Sequence, residues 1–481
     1  MTTRVRPVVL IVVIGAVLRL LRFFDCPSLW HDEAFVAMNV IQRSFGGLLE
    51  PLADHQVAPP VWLFLEKGAV TMFGTSELAL RLVPLLSSLA ALALVSLVAL
   101  RLLAGRAAIV AVLMLATSPS LLDQATIMKP YSSDVLAAAA LLLAAPGTNA
   151  GALRAWSLWS LLAMPCLFLS YPSIFVSGGI LLAHAIAARG AWTRALLAIA
   201  PAATALSVGL VLLLGIPSSS PDDPALREYW ASGFPPGGVL PFLGWLGGSV
   251  LSIADEALPN LGLLVLPMVL LGTFFLRRRA PEEQLRLTFP FLLLFLASLL
   301  GRYPMEGGRL TLFLVPALIL LAAEGVVRLL ESSRTDASRL ACHFLLGSLV
   351  LVPMAAALWK VVVPAPRHNL RPLLTRLLPD LEPGDVIVSA CARAELEYYW
   401  TVRGLGRSDV TVLHDAEGVE YLRRRESGAG STGRLWLLTT TSEERLERLA
   451  EGLYSRAEER GGETIAIGST RAIRIEPRGG T

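Results

Sequence analysis

Long apolar runs, broken by short polar stretches, fill the first three quarters of the chain. Runs of about 17–25 apolar residues can cross a bilayer as a helix. The pattern predicts spans near 7–24, 78–103, 107–122, 132–147, 155–171, 173–188, 195–216, 257–276, 287–301, 310–328 and 340–363. The segment 58–73, "APPVWLFLEKGAVTMF", is short for a span and carries Glu66 and Lys67 in its middle. A charge at mid-bilayer costs about 2.5 kcal/mol or more, so this segment is predicted to lie at the interface as a helix, with a short tilted span as the alternative. The segment 33–50, with apolar residues at helical spacing, reads the same way. Beyond residue 365 the pattern changes. Short strand-like runs ("DVIVSA", "DVTVLHD", "GRLWLLTT", "ETIAIGS", "RAIRIEP") alternate with helix-like ones ("ARAELEYYWTV", "SEERLERLAEGLYSRAEER"), which predicts a small α/β domain over 366–481.

Charge orients the spans. With the N-terminus and its Arg4 and Arg6 inside, the loops at 101–106, near Arg154, and at 189–194, 277–286 and 328–339 also fall inside, and nearly every arginine cluster goes with them. This requires that 58–73 not span. The outer loops are then 25–57, 123–131, 217–256 and 302–309, and they hold the unusual polar residues.

Composition agrees. Hydrophobic residues make up 54% of the chain and charged ones 16%, against about a quarter charged in a soluble domain. The chain reads as an integral membrane protein with a retained first span. The formal net charge of +3 gives no reason to expect a nucleic-acid partner. The four cysteines show no metal-ligand spacing. No P-loop, HExxH, GxSxG or convincing GxGxxG element is present, which argues against ATP-driven pumps, common hydrolases and nucleotide-sugar enzymes.

The candidate chemistry lies in the outer loops. "SLWHDEAF" sets His31, Asp32 and Glu33 at the outer end of the first span. A carboxylate there can take a proton from an attacking hydroxyl or amine, or hold a divalent cation such as Mg or Mn. The competing reading is an acidic first helical turn. "LADHQVAPPVWLFLEK" places Asp54, His55 and Gln56 before a Pro59–Pro60 helix start. Those three suit a phosphate, a sugar or a metal, or simply a capping turn. Glu66 and Lys67 suit an ion pair or a lipid headgroup. In "KPYSSDVL", Lys129 can pair with a phosphate or snorkel, Tyr131 fits the aromatic belt, and Asp134 favours a helix start. In "RYPMEGGR", Arg302 and Arg309 stand outside against the positive-inside trend, as a phosphate partner would require. An ion pair with Glu306 is the alternative.

In this order, "LWHDEAF", "DHQVAPPVWLFLEKGAVTMFGTSELALRLVPLL", "KPYSSDVLAAAALLL" and "YPMEGGRLTLFLVP" resemble the GT-C membrane glycosyltransferases of the family 39 type. That group includes protein O-mannosyltransferases and lipid A aminoarabinose transferases. The resemblance implies a polytopic α-helical fold of about 11–13 transmembrane helices over residues 1–365, with interfacial helices in the first outer loop and the α/β domain behind it. It implies a polyprenyl-phosphate sugar donor, inversion at the anomeric carbon, and an acceptor that is a glycan, a lipid or a protein. The family's acidic residue matches Asp32, with Glu33 beside it, and its basic and aromatic pair matches Lys129 and Tyr131. Many members have Arg in place of Lys129 and "HPP" where this chain reads "QVAPP". The expected setting is a bacterial or archaeal plasma membrane, with the site and the C-terminal domain outside. The rival readings are a lipid or glycolipid transporter, which would need gated charges or repeated halves, and a non-catalytic membrane scaffold.

Overall fold

The computed structural model describes residues 2–147, 152–188, 191–219, 224–363, 369–390, 393–414, 417–418, 420–421, 434–440, 463–467 and 470–475. The chain divides into two compact units. One holds Met1–Phe24, Arg43–Ala69 and Arg81–Val363, and the other Asp25–Gln42, Val70–Leu80 and Pro364–Thr481.

The first unit is helical. Among the described residues, Val5–Asp25, Leu82–Leu102, Trp192–Leu214, Arg309–Ser332 and Asp336–Val362 are long and apolar enough to cross a membrane. Val239–Ala257 and Gly262–Arg279 qualify together as a pair bent by 91°. Shorter apolar helices (Arg106–Thr117, Tyr131–Ala144, Leu153–Leu169 and Ser173–Ala187) stand where the pattern predicts further spans. The helix Val239–Ala257 falls in what the sequence reads as an outer loop. Its glycine-rich "GWLGGSV" core has low helix propensity, which hid it. Pro60–Phe73 is a 14-residue helix, about 21 Å long and short of a 30 Å hydrocarbon core.

Backbone contact between small residues sets the centre of this unit. A Cβ on Gly272 would lie 1.8 Å from the Leu321 carbonyl oxygen, and one on Gly325 would lie 2.0 Å from that of Met268. Only glycine lets Gly262–Arg279 and Val315–Ser332 approach this closely, the kind of contact that drives helix association where lipid supplies no hydrophobic gain.

Loops distant in sequence meet at the ends of these helices. At one end Arg279 Nη2 donates to the Leu102 carbonyl at 2.7 Å, Arg101 lies 3.5 Å from Glu283, and His184 Nδ1 lies 3.2 Å from Glu282. At the other, Arg22 Nη1 donates to the Lys360 carbonyl at 3.0 Å, Lys360 pairs with Asp123, and Ser118 Oγ donates to the Ala257 carbonyl at 3.2 Å.

The second unit contains a sheet of β1 (Val386–Ala390), β2 (Thr411–His414), β3 (Leu435–Thr440), β4 (Glu463–Ile467) and β5 (Thr470–Ile475), in the order β2-β1-β3-β5-β4. β1 is parallel to β2 and β3, whereas β5 is antiparallel to β3 and β4. Alternate residues Val386 and Val388 of β1, Leu435 and Leu437 of β3, and Ile473 of β5 form one apolar face. Each predicted strand is present. The predicted helix "ARAELEYYWTV" runs as Arg393–Glu397 and continues in a π turn, Tyr398–Val402. The predicted helix at 442–460 lies outside the described residues.

Candidate active site

In the membrane unit, a strained turn and a buried lysine meet. Asp54 and His55 take φ values of 58° and 54°. Left-handed backbone is uncommon outside glycine and clusters at functional sites. The turn is held by Gln56, whose N–H donates to the Ala53 carbonyl at 3.4 Å and whose Nε2 donates to the Asp54 carbonyl at 3.0 Å. Pro60 then opens the next helix, where its missing N–H is harmless. The Gln56 Oε1 is left to accept from Lys129 Nζ at 2.8 Å. Lys129 sits in a tight turn, its N–H donating to the Ile127 carbonyl at 2.7 Å, and its side chain is buried. Tyr131 and Asp134 follow in the first turn of Tyr131–Ala144, and both are buried. One carboxylate oxygen of Asp134, Oδ1, is buried and has no hydrogen-bond partner among the described residues. Glu66 is fully buried and Lys67 half-buried on Pro60–Phe73.

The two arginines behave differently. Arg302 is exposed, and its N–H donates to the Ala297 carbonyl at 2.9 Å. Arg309 is half-buried, with Nη2 3.4 Å from the Tyr229 hydroxyl and its guanidinium 5.3 Å from the centre of the Trp230 ring. Glu306, the alternative partner named from sequence, accepts from Ser232 Oγ at 3.0 Å. The loop carrying Arg309 is thus laid against the aromatic segment Tyr229–Trp230.

The network of Arg22, Asp123 and Lys360 did not stand out in the sequence, because its members are far apart along the chain. The signal was available: Asp123 opens "DQATIMKPY", and Lys360 ends the last apolar run.

His31, Asp32 and Glu33 belong to the second unit. They form the first turn of His31–Gln42. The N–H groups of Glu33 and Ala34 donate to the Trp30 carbonyl at 3.0 Å. Glu33 is buried, and its Oε2 accepts from the Trp30 N–H at 3.4 Å, so this carboxylate reaches back over its own helix start. His31 packs edge-on to Trp30 at 4.9 Å and to Phe35 at 5.9 Å. Asp32 is half-buried. Among the described residues, no three His, Cys, Asp or Glu side chains converge to hold a metal ion.

No family model matches the chain, and no curated protein matches it. Solved structures do. ArnT from Cupriavidus metallidurans bound to undecaprenyl phosphate aligns with a TM-score of 0.59 and 14% identity, over 98% of this chain and 99% of ArnT. This chain has the GT-C fold. The Archaeoglobus fulgidus oligosaccharyltransferase AglB, in complex with an inhibitory peptide and a dolichol-phosphate, aligns with a TM-score of 0.51 and 11% identity, over 97% of this chain and 74% of AglB. The A. fulgidus oligosaccharyltransferase in complex with Zn and sulfate aligns with a TM-score of 0.52 and 12% identity, over 90% of this chain and 68% of the other. The GT-C fold thus runs through both units of the chain.

Proposed function

We propose that this GT-C chain is a membrane glycosyltransferase that moves a sugar from a polyprenyl-phosphate donor to an acceptor on the outer face of the membrane. The observation that carries this reading is the end-to-end likeness to ArnT bound to undecaprenyl phosphate. The Lys129–Gln56 contact supports it from this chain's own residues.

The proposed chemistry needs few parts. The Asp32 carboxylate takes the proton of the acceptor hydroxyl or amine as that atom bonds to the anomeric carbon. The bond from the anomeric carbon to the phosphate oxygen breaks, and the electron pair leaves with the polyprenyl phosphate. Lys129 donates to the phosphate and offsets the charge that builds on it; Gln56 holds the ammonium in place. Arg309, Arg302 and Tyr131 are further candidates for the phosphate. Glu33 supports the start of the Asp32 helix.

The test uses purified protein with a panel of polyprenyl-phosphate sugars, scoring transfer or donor hydrolysis with and without a chelator. Saturable turnover of one donor, lost in Asp32→Asn, is expected. Wild-type turnover in Asp32→Asn would overturn the mechanism. Silence across the panel from folded protein would favour a transporter or a scaffold. A chelator effect would identify a cation requirement.

A further inference from the structure

One buried carboxylate gathers the backbone that leads into the Asp32 helix. Residues 26–30 have no regular secondary structure, so their path depends on bonds from elsewhere. Glu77 opens the short helix Glu77–Leu80 and is 3% exposed. Its Oε1 accepts from Arg371 Nη1 at 2.6 Å and from the Tyr399 hydroxyl at 3.2 Å. Its Oε2 lies 3.8 Å from Arg403 Nε.

Both principal donors also hold the segment before the helix. Arg371 Nη2 donates to the Cys26 carbonyl at 2.9 Å, and the Arg371 N–H donates to Ser28 Oγ at 3.3 Å. The Tyr399 hydroxyl accepts the Leu29 N–H at 2.8 Å. Cys26 takes a φ of 44°, a conformation that persists in a non-glycine residue only when its surroundings enforce it. The far end of the same helix is tied as well, by Gln42 Nε2 donating to Glu397 Oε1 at 2.9 Å. All of these residues belong to the second unit.

A general base must stand within hydrogen-bond reach of the proton it takes, and a displacement of about 1 Å can cost about a hundredfold in rate. Bonds to a carboxylate are shorter and stronger than neutral ones. A charged hub that fixes the segment at Cys26 and Leu29 is suited to that tolerance.

We propose that Glu77, Arg371 and Tyr399 form a positioning clamp that sets the Asp32 carboxylate for proton transfer. The clamp is a support and touches no substrate. The proposal rests on the reading of Asp32 as the base, and it assigns to Arg371 and Tyr399 a share of turnover rather than of donor binding.

The test compares full-length wild type with Tyr399→Phe, Arg371→Lys, their double variant and Asp32→Asn. Tyr399→Phe keeps the edge-on ring contact with Tyr398 at 4.9 Å and removes only the hydroxyl. Arg371→Lys keeps the charge, but an ammonium cannot reproduce the planar fork that serves Glu77 and Cys26 together. Two quantities are read: kcat and KM for the donor found in the panel, and hydrogen exchange of the amides at 29–36. Each single variant is expected to lower kcat about tenfold with KM changed by less than about twofold. Exchange at 29–36 should rise while β1 and β3 keep their protection. The double variant should lose less than the product of the singles, because both act through Glu77.

Raised exchange with wild-type kcat would overturn the proposal, as would unchanged exchange in both single variants. A loss of protection spread through β1 and β3 would show a purely structural role and overturn it too. Asp32→Asn separates the two ideas. It should abolish turnover with exchange at 29–36 unchanged; if it retains turnover, the base assignment fails and the clamp loses its purpose with it.

Discussion

Lys129 Nζ donates to Gln56 Oε1 at 2.8 Å across 73 positions of sequence. The bond joins the turn before Pro60–Phe73 to the turn before Tyr131–Ala144 and fixes the direction of a buried ammonium. Lys129→Met should lower kcat/KM for a polyprenyl-phosphate sugar about a hundredfold, or about 2.7 kcal/mol of transition-state stabilisation. Lys129→Arg should stay within about tenfold, since guanidinium also pairs with phosphate. Steady-state kinetics on the donor identified by the panel decide this. Full activity in Lys129→Met would remove the residue from the phosphate site.

Arg309 rests on Tyr229 and Trp230. If it also meets the donor phosphate, Arg309→Gln should raise the donor KM about tenfold and change kcat less. Trp230→Leu should have the smaller effect, because a half-exposed cation–π contact is worth only about 0.5–1 kcal/mol. Equal effects of the two substitutions on KM would mean that the arginine serves the loop and not the lipid.

Gly272 and Gly325 allow two helices of the membrane unit to touch backbone to backbone. Gly325→Ala should destabilise the unit by about 1–3 kcal/mol through overpacking, and Gly325→Leu should prevent a monodisperse preparation. Size-exclusion profiles and melting in detergent report on both. A wild-type profile for Gly325→Leu would show that the helices separate easily.

Much of the fold was legible because its causes are local. The apolar runs and the strand alternation of the tail depend on near neighbours in sequence, and both appear as elements. Val239–Ala257 was missed because glycine weakens the helical signal while the bilayer or packing maintains the helix. The candidate site was legible only in part. The types and order of Asp32, Lys129 and Tyr131 carried the resemblance. Nothing in "HDE" distinguishes the half-buried Asp32 from Glu33, which is folded back onto Trp30. That difference lies in helix geometry. The bond between Gln56 and Lys129, and the convergence of Arg371 and Tyr399 on Glu77, join residues too distant for any spacing rule to register.

Asp385 gives the second unit a defined response to acid. It is buried at the base of β1, with Arg434 Nε at 3.2 Å, Trp436 Nε1 at 3.0 Å and the Glu382 N–H at 2.9 Å all donating to its carboxylate. Burial by itself would raise the Asp385 pKa, but these donors and the Arg434 charge outweigh it and hold the carboxyl below its ordinary value of 3.8. The folded state therefore binds this proton less readily than the unfolded one. The contribution is fully present above the ordinary carboxylate value and is lost as pH falls through the lower folded value. Protection of β1 and β3 against hydrogen exchange, corrected for the intrinsic rate, should hold steady down to the ordinary value and fall below it. Asp385→Asn should lose about 1–3 kcal/mol at neutral pH, because one oxygen of the cluster becomes a donor facing donors. The variant should also show a shallower decline in acid. Parallel acid profiles for wild type and variant would assign the sensitivity to another carboxylate.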